Sequence, residues 1–225
     1  MIRTVLFDTE TTGLEPLTGD RVIEVAALEL LNDLPTGKHF HALVDPKRDI
    51  PADATRIHGI SNGDLVGKPL FADIAQSLVD FFGDSKLIAH NAPFDFGFLN
   101  MEFGRASRPP LSHDRMIDSL ALAKIQFPGM PNSLDALCRR FSIDLSARTT
   151  HNALLDCKLL AEVYVELTGG RQRGLSLAAQ DARGPVTVYV HTGPRTAHPI
   201  EPTEAELAAH AAFLTRITAP AWLLP

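Results

Sequence analysis

Three early stretches of the chain are rich in apolar and β-branched residues, and they cover Arg3–Phe7, Arg21–Leu31 and Lys38–Val44. Groups of turn-forming residues punctuate them, at Thr12-Gly13, Thr18-Gly19-Asp20 and Pro35-Thr36-Gly37. Short apolar runs bounded by such residues are typical of β-strands. The pattern therefore predicts three strands in an antiparallel meander, with the turn between the second and third strands at residues 35–37.

The spacing of apolar residues changes to a helical period after residue 70, as Phe71, Ile74, Leu78 and Phe82 illustrate. We predict helices over residues 71–82, 94–101, 133–141 and 153–167, and short apolar strands at 87–89 and 116–118. An order of strands first, and then of helices alternating with strands, indicates an α/β domain. We expect this domain to end near Gly170.

The composition shifts toward Gly, Pro, Ala and Thr beyond residue 170, and the helical period is lost there. Alternation returns at Val186–Val190, which predicts a short strand. Thr203 and Glu206 then have the spacing of a capping box, and an apolar helical face follows them to about Thr218. Because an apolar face has to be covered, this helix packs either on its own domain or on a partner chain.

The composition is that of an ordinary globular protein, with 45% hydrophobic and 21% charged residues. The net charge of −6 argues against a protein that coats nucleic acid by bulk charge. No apolar stretch approaches the roughly 20 residues of a membrane span, so we expect a cytoplasmic protein without a membrane partner. Cys138 and Cys157 lack CxxC spacing and are predicted to be buried thiols.

Two acids stand at a two-residue interval near the end of the first predicted strand, in Leu6-Phe7-Asp8-Thr9-Glu10. Alternate residues of a strand project from the same side of a sheet, so the two carboxylates repel each other. A hard divalent cation with oxygen ligands explains such a pair. The alternative is a pair of solvated acids at the end of a strand.

Two further acids stand in or near the first turn of a predicted helix. Asp95 is explained either by a functional site or by the favourable dipole of a helix N-terminus, and His90 before it is either structural or functional. His151 and Asp156 are five residues apart, about 140° around a regular helix, so we expect His151 just before the helix proper. The absence of an HExxH string disfavours zinc hydrolysis.

The strings DTETTGL, HNAPFD and HNALLD together resemble the three exonuclease motifs of the DEDD family, in its histidine-containing branch. The resemblance implies an RNase H-like mixed sheet flanked by helices. It implies 3′ to 5′ removal of single nucleotides as 5′-monophosphates with two divalent cations, Mg²⁺ or Mn²⁺. By motif position, the general base would be His151, and the metal-binding acids would be Asp8, Glu10, Asp95 and Asp156.

Substrate contacts are implied by the same resemblance. Asp8, Glu10 and Asp156 would face the substrate, as would His58 in the string HGIS and, more weakly, Asp53. Thr11 and Thr12 follow the first acids, and their hydroxyl and backbone N–H groups are candidates for holding the terminal nucleotide. Simple turn chemistry explains these two threonines almost as well.

The strings RVIEVAALEL, HGIS, NSLDALCRRF and LLAEVYVELTGG extend the resemblance to the proofreading exonucleases of bacterial replicative DNA polymerases. Such an enzyme removes mispaired nucleotides from a frayed or single-stranded DNA 3′ end. The implied organisation is an exonuclease domain at 1–170, a linker at 171–184 and a polymerase-docking segment at 185–225. The linker contains GLSLA, residues 174–178, which imperfectly resembles a sliding-clamp-binding peptide.

Two other functions compete with proofreading. RNA-trimming 3′ to 5′ exoribonucleases of the RNase T or oligoribonuclease type carry the same motifs, but they would not need some 55 residues after the catalytic domain. A non-catalytic binding module with the same fold is the second alternative. The presence of all five motif residues disfavours that module, and a metal-dependent nuclease assay separates the two classes.

Overall fold

A computed structural model of the protein describes residues 2–148, 150–169 and 201–217. The chain divides into two units, Met1–Ser176 and Leu177–Pro225. The predicted strand at 186–190, the string at 174–178 and the proposed domain end at Gly170 lie outside the described residues. No helix within the described ranges is long and apolar enough to cross a membrane.

A five-stranded mixed sheet forms the centre of the first unit, with the strand order β3-β2-β1-β4-β5. The strands are β1 (Arg3–Thr11), β2 (Val22–Leu31), β3 (Leu34–Leu43), β4 (Lys86–Ala89) and β5 (Met116–Asp118). β1 pairs with β2, and β2 with β3, in antiparallel fashion, which confirms the predicted meander. β4 runs parallel to both β1 and β5.

The hairpin between β2 and β3 turns at Asn32 and Asp33, and the predicted turn at residues 35–37 is wrong. Both turn residues have positive φ, 51° and 65°, as a tight two-residue hairpin requires and as Asn and Asp tolerate. Pro35 lies instead inside β3, where it pairs with Leu30. Because β3 is an edge strand, the missing N–H of this proline is tolerated there.

Helices cover the sheet on both faces, which confirms the predicted α/β class. Four of them match predicted segments: α2 (Phe71–Phe82), α3 (Ala92–Arg105), α5 (Leu134–Arg140) and α6 (Ala153–Leu167). Apolar periodicity missed two short helices, α1 (Ala52–His58) and α4 (Ser119–Gln126). Each of these two buries few side chains, so neither has a long apolar stripe that a sequence pattern would reveal.

The core has two layers because β1 alternates its side chains between the faces of the sheet. Val5 and Phe7 pack against α2 and α3, and the ring of Phe7 meets those of Phe82 and Phe96 edge to face, with centroids 5.6 and 5.7 Å apart. Leu6 packs on the opposite face against α6. Both cysteines are buried free thiols, as predicted.

The second unit contains α7 (Glu204–Leu214). Thr203 and Glu206 form the predicted capping box, in which the Thr203 Oγ1 accepts from the Glu206 N–H and the Glu206 carboxylate accepts from the Thr203 N–H. The side chains of Leu207 and Phe213 are 53% and 55% exposed. Leu207 lies on the predicted apolar face, whereas Phe213 lies about 120° from Leu207 around the helix, so the apolar residues of α7 do not share a single face.

Candidate active site

The end of β1 carries the first two predicted acids on one side of the sheet. Leu6 packs against α6, and the alternation of a strand puts Asp8 and Glu10 on the same side as Leu6. Thr9 points the other way, and its N–H and hydroxyl donate to Asp95 Oδ1 at 3.1 and 2.7 Å. The first turn of α3 is thereby tied to the end of β1, and Asp95 is only 3% exposed.

The start of α6 brings the third motif to the same edge. Asn152 is the N-cap of α6, and its Oδ1 accepts from the N–H of Leu155 at 3.0 Å. His151 consequently lies just before the helix, as predicted, and its Nδ1 is 3.7 Å from Asp156 Oδ2. Glu10, His151 and Asp156 each offer a ligand atom, and these three atoms lie within 4.8 Å of one another.

Burial and mutual repulsion perturb the acids of this cluster. Burial raises the pKa of Asp8 well above its ordinary value, and the charges of Asp95 and Glu10 raise it further. Burial, together with the charges of Asp156 and Glu24, raises the pKa of Glu10 to about 8. Burial also raises the pKa of Asp95 to about 7. Crowded carboxylates of this kind ionise readily only beside a cation.

The donor set fits a hard divalent cation. Carboxylate oxygens suit Mg²⁺ or Mn²⁺, whereas a structural zinc site is built mainly from thiolates and histidines. Both cysteines lie buried in hydrophobic clusters of the core. The geometry and the raised pKa values therefore describe a site that a divalent cation would complete.

Glu24 is a buried acid beside the site that the sequence reasoning missed. It lies opposite Glu10 in the β1–β2 pairing and is 1% exposed. Its carboxylate accepts from the Ala153 N–H at 3.1 Å and from Asn152 Nδ2 at 3.1 Å, and it pairs with His41 Nε2 at 2.6 Å. Glu24 therefore fixes the start of α6 against β2. The available signal was a charged residue within the apolar run Val22–Leu31.

Arg148 is the second residue that was missed. Its side chain is 8% exposed, and its Nε and Nη2 donate to Asp156 Oδ1 and Oδ2 at 2.6 and 2.8 Å. Nη2 also lies 3.2 Å from His151 Nδ1, and Nη1 contacts Asp135 of α5. The only sequence signal was a basic residue three positions before the third motif.

A cavity of about 480 Å³ opens beside the acids, and all of the residues predicted to contact the substrate line it. His58 is 5% exposed; its Nδ1 accepts from the Ile60 N–H at 3.0 Å, while its Nε2 has no hydrogen-bond partner among the described residues. Burial lowers the pKa of His58, which favours the neutral ring. Asp53 lies at the rim of the cavity with an exposed side chain that pairs with Arg56.

The threonines after the first acids hold the local turn as well as lining the cavity. Thr11 Oγ1 donates to the carbonyl of Gly13 at 2.6 Å, and Thr12 Oγ1 donates to Asp20 Oδ1 at 3.1 Å. A Cβ on Gly13 would lie 2.2 Å from Asp20 Oδ2, so a larger residue there would have to displace the Asp20 carboxylate from its hydrogen bonds with Thr12 and Glu15. The hydroxyls are therefore engaged in turn hydrogen bonds, while the residues still face the cavity.

The hydrogen bonds of His90 match the structural one of its two predicted roles. Its Nδ1 lies 2.9 Å from Ser119 Oγ, and its Nε2 lies 2.9 Å from the carbonyl of Asn132. The ring nitrogen that faces the carbonyl carries a proton, and burial lowers the pKa of His90. This histidine connects β4 to α4 and to the loop before α5.

The comparisons with known proteins agree on one protein family. Residues 5–164 match the family described as Exonuclease, RNase T. The chain is 46% identical over 222 residues to DNA polymerase III subunit epsilon of Rickettsia felis, covering 96% of this chain and 97% of that protein. It is 39% identical over 224 residues to the subunit of the same name from Escherichia coli K12, covering 94% and 92%.

Solved structures show the same fold. A complex of Exonuclease X with 5′-overhanging duplex DNA is similar with a TM-score of 0.58 and 25% identity, over 75% of this chain and 92% of that one. The zinc-bound E. coli ExoI–ssDNA complex has a TM-score of 0.65 and 20% identity, over 76% of this chain and 41% of that one. The described sheet and its flanking helices therefore form an exonuclease fold.

Proposed function

The chain belongs to the exonuclease family, among the DNA polymerase III epsilon subunits, and from this membership we propose the chemistry and partners that follow. As a member of this family, the protein is a metal-dependent 3′ to 5′ exonuclease that acts on DNA in proofreading. We propose that Asp8, Glu10, Asp95 and Asp156 bind two divalent cations and that His151 is the general base. The convergence of these five side chains on one cavity carries the proposal.

Two Mg²⁺ or Mn²⁺ ions, when bound, would supply the charge that activates a water and stabilises the departing 3′-oxygen. The four carboxylates provide the hard oxygen ligands. His151 accepts the proton of the attacking water, because its imidazole is half-exposed at the cavity and lies beside the acids that would hold the cations. The products are nucleoside 5′-monophosphates.

The cavity beside the acids holds the 3′-terminal nucleotide. The Nε2 of His58, which has no hydrogen-bond partner in the described part of the chain, is available to hydrogen-bond this nucleotide. Asp53 at the rim of the cavity lies within reach of the DNA strand that leads away from the terminal nucleotide. Thr11 and Thr12 line the same space through the turn that they stabilise. Asp8, Glu10 and Asp156 face the phosphate side of this nucleotide.

Selection for errors follows from the need for a single strand. A mispaired terminus unpairs at lower cost than a paired one, so it enters the cavity more often. The test is the rate of digestion of two primers that differ only in whether the 3′ nucleotide is paired. We expect faster digestion of the mispaired primer, and equal rates contradict a proofreading preference. An RNA primer of the same sequence tests the exoribonuclease alternative, which requires RNA to be degraded faster than DNA.

A polymerase subunit is the proposed protein partner. Epsilon subunits are by name parts of DNA polymerase III, and the exposed apolar side chains of α7 are suited to a partner chain. We propose the exonuclease domain at 1–170, a linker at 171–184 with possible sliding-clamp contact through 174–178, and polymerase docking by 185–225. A chain truncated after Gly170 should fail to co-purify with the polymerase subunit, and retained binding contradicts this division.

A further inference from the structure

Arg148 engages the acidic centre in a way that the reaction chemistry does not explain. Its guanidinium takes both oxygens of Asp156 with two parallel hydrogen bonds of 2.6 and 2.8 Å. The same group lies 3.2 Å from the Nδ1 of His151. A nitrogen that accepts a hydrogen bond from a guanidinium cannot take up a proton at the same time, because arginine donates and does not accept.

The positive charge of Arg148 is well matched to the acids of this centre. The side chain is 8% exposed and lines one cavity together with Asp8 and Asp156. Unpaired buried carboxylates are strongly unfavourable, and a bidentate guanidinium is the most complementary protein cation for one of them. Arg148 therefore compensates the negative charge of the centre.

The guanidinium also has a second acceptor that lies outside the centre. Its Nη1 contacts Asp135, which is in the first turn of α5 and is 38% exposed. Asp135 lines one cavity together with Asp8 and Asp156, and it can still accept from the guanidinium if the contact with Asp156 is lost. The arginine is thus held between one acid inside the centre and one at its edge.

We propose that Arg148 is a displaceable counter-ion of Asp156 and a hydrogen-bond donor to His151 Nδ1, which a divalent cation would displace so that Asp135 alone retains it. The inference rests on the proposed metal site. A divalent cation and a guanidinium compete for one carboxylate, since both are positive and both require its oxygens. Displacement then exposes Nδ1 of His151. The arginine therefore weakens cation binding.

The experiment is calorimetric titration of Mn²⁺ into the full chain, with the variants Arg148→Gln, Asp135→Asn and Lys124→Gln. Removing the competitor in Arg148→Gln should lower the Kd at least about tenfold, equivalent to about 1.4 kcal/mol. Removing the outer acceptor in Asp135→Asn should raise the Kd several-fold. Lys124→Gln is the matched control, because it removes a positive charge from the wall of the same cavity as Arg148 and should leave the Kd nearly unchanged.

A Kd for Arg148→Gln that is unchanged or higher than that of the wild type overturns the inference, as does an equal effect of Lys124→Gln. If Arg148→Gln fails to fold, Arg148→Lys decides, because lysine keeps the charge without the bidentate fork and should bind Mn²⁺ more tightly than the wild type. An unchanged or higher Kd for Arg148→Lys then overturns it. Failure of the wild type itself to bind Mn²⁺ contradicts the metal site, which distinguishes that failure from failure of the counter-ion.

Discussion

Replacement of Glu10 by Gln tests the electrostatics of the site in the absence of metal. Burial and neighbouring acids raise the pKa of Glu10 from 4.5 to about 8 in the folded protein. Between these two values the folded state binds a proton that the unfolded chain releases. The contribution of Glu10 to stability therefore falls as the pH rises through this window, and it falls no further above about pH 8.

The size of the effect follows from the two pKa values. One pKa unit corresponds to about 1.4 kcal/mol, so the full penalty above pH 8 is roughly 5 kcal/mol. At pH 7 it is roughly 3 kcal/mol, and at pH 5 roughly 1 kcal/mol. Because glutamine has almost the same shape and no charge, Glu10→Gln should exceed the wild type in stability by these amounts when metal is chelated.

The assay is urea unfolding in the presence of EDTA at pH 5, 6, 7 and 8. Glu162→Gln is the matched control, since Glu162 is an exposed acid on α6 and its replacement should give no gain that grows with pH. In excess Mn²⁺ the order should reverse, because a ligand that binds only the folded state stabilises the wild type and binds the variant weakly. A gain for Glu10→Gln that is the same at every pH, or a loss that grows with pH, refutes the reasoning.

Three further predictions concern catalysis, metal binding and the core. His151→Ala should slow hydrolysis by about 10² to 10⁴ at saturating Mg²⁺ while leaving Mn²⁺ affinity largely intact, and full activity in this rate assay removes His151 from the mechanism. Asp8→Ala and Asp156→Ala should each lose calorimetric Mn²⁺ binding together with turnover, so unchanged affinity in both contradicts their assignment as ligands. Phe7→Ala should lower the free energy of unfolding by about 3 to 5 kcal/mol, since a fully buried ring between two others leaves a cavity. Chemical denaturation measures that loss, and Phe7→Leu should cost clearly less.

The sequence by itself determined the parts of the fold that depend on local periodicity. Apolar runs bounded by turn residues identified the five strands, and the helical spacing of apolar residues identified the long helices. Three short motifs also indicated which acids and which histidine to expect near one another. His151 was correctly expected just before α6, since five residues do not return a side chain to the same helical face.

Local signals were insufficient where two turn sequences competed. Residues 35–37 contain proline and glycine, yet the hairpin turns at Asn32 and Asp33. The choice depends on the register between β2 and β3, which is set by the pairing of whole strands and by the edge position that tolerates Pro35. Short helices such as α1 were missed for a related reason, because one buried side chain leaves no period to detect.

Only the tertiary structure decided which charges meet. Glu24 and the start of α6 are 129 residues apart along the chain, and their hydrogen bonds exist because β2 lies under that helix. Arg148 likewise has no sequence pattern that selects Asp156 over other acids as its bidentate partner. Periodicity records whether a side chain is buried, whereas its electrostatic partners depend on chain segments that folding alone brings within a few ångströms.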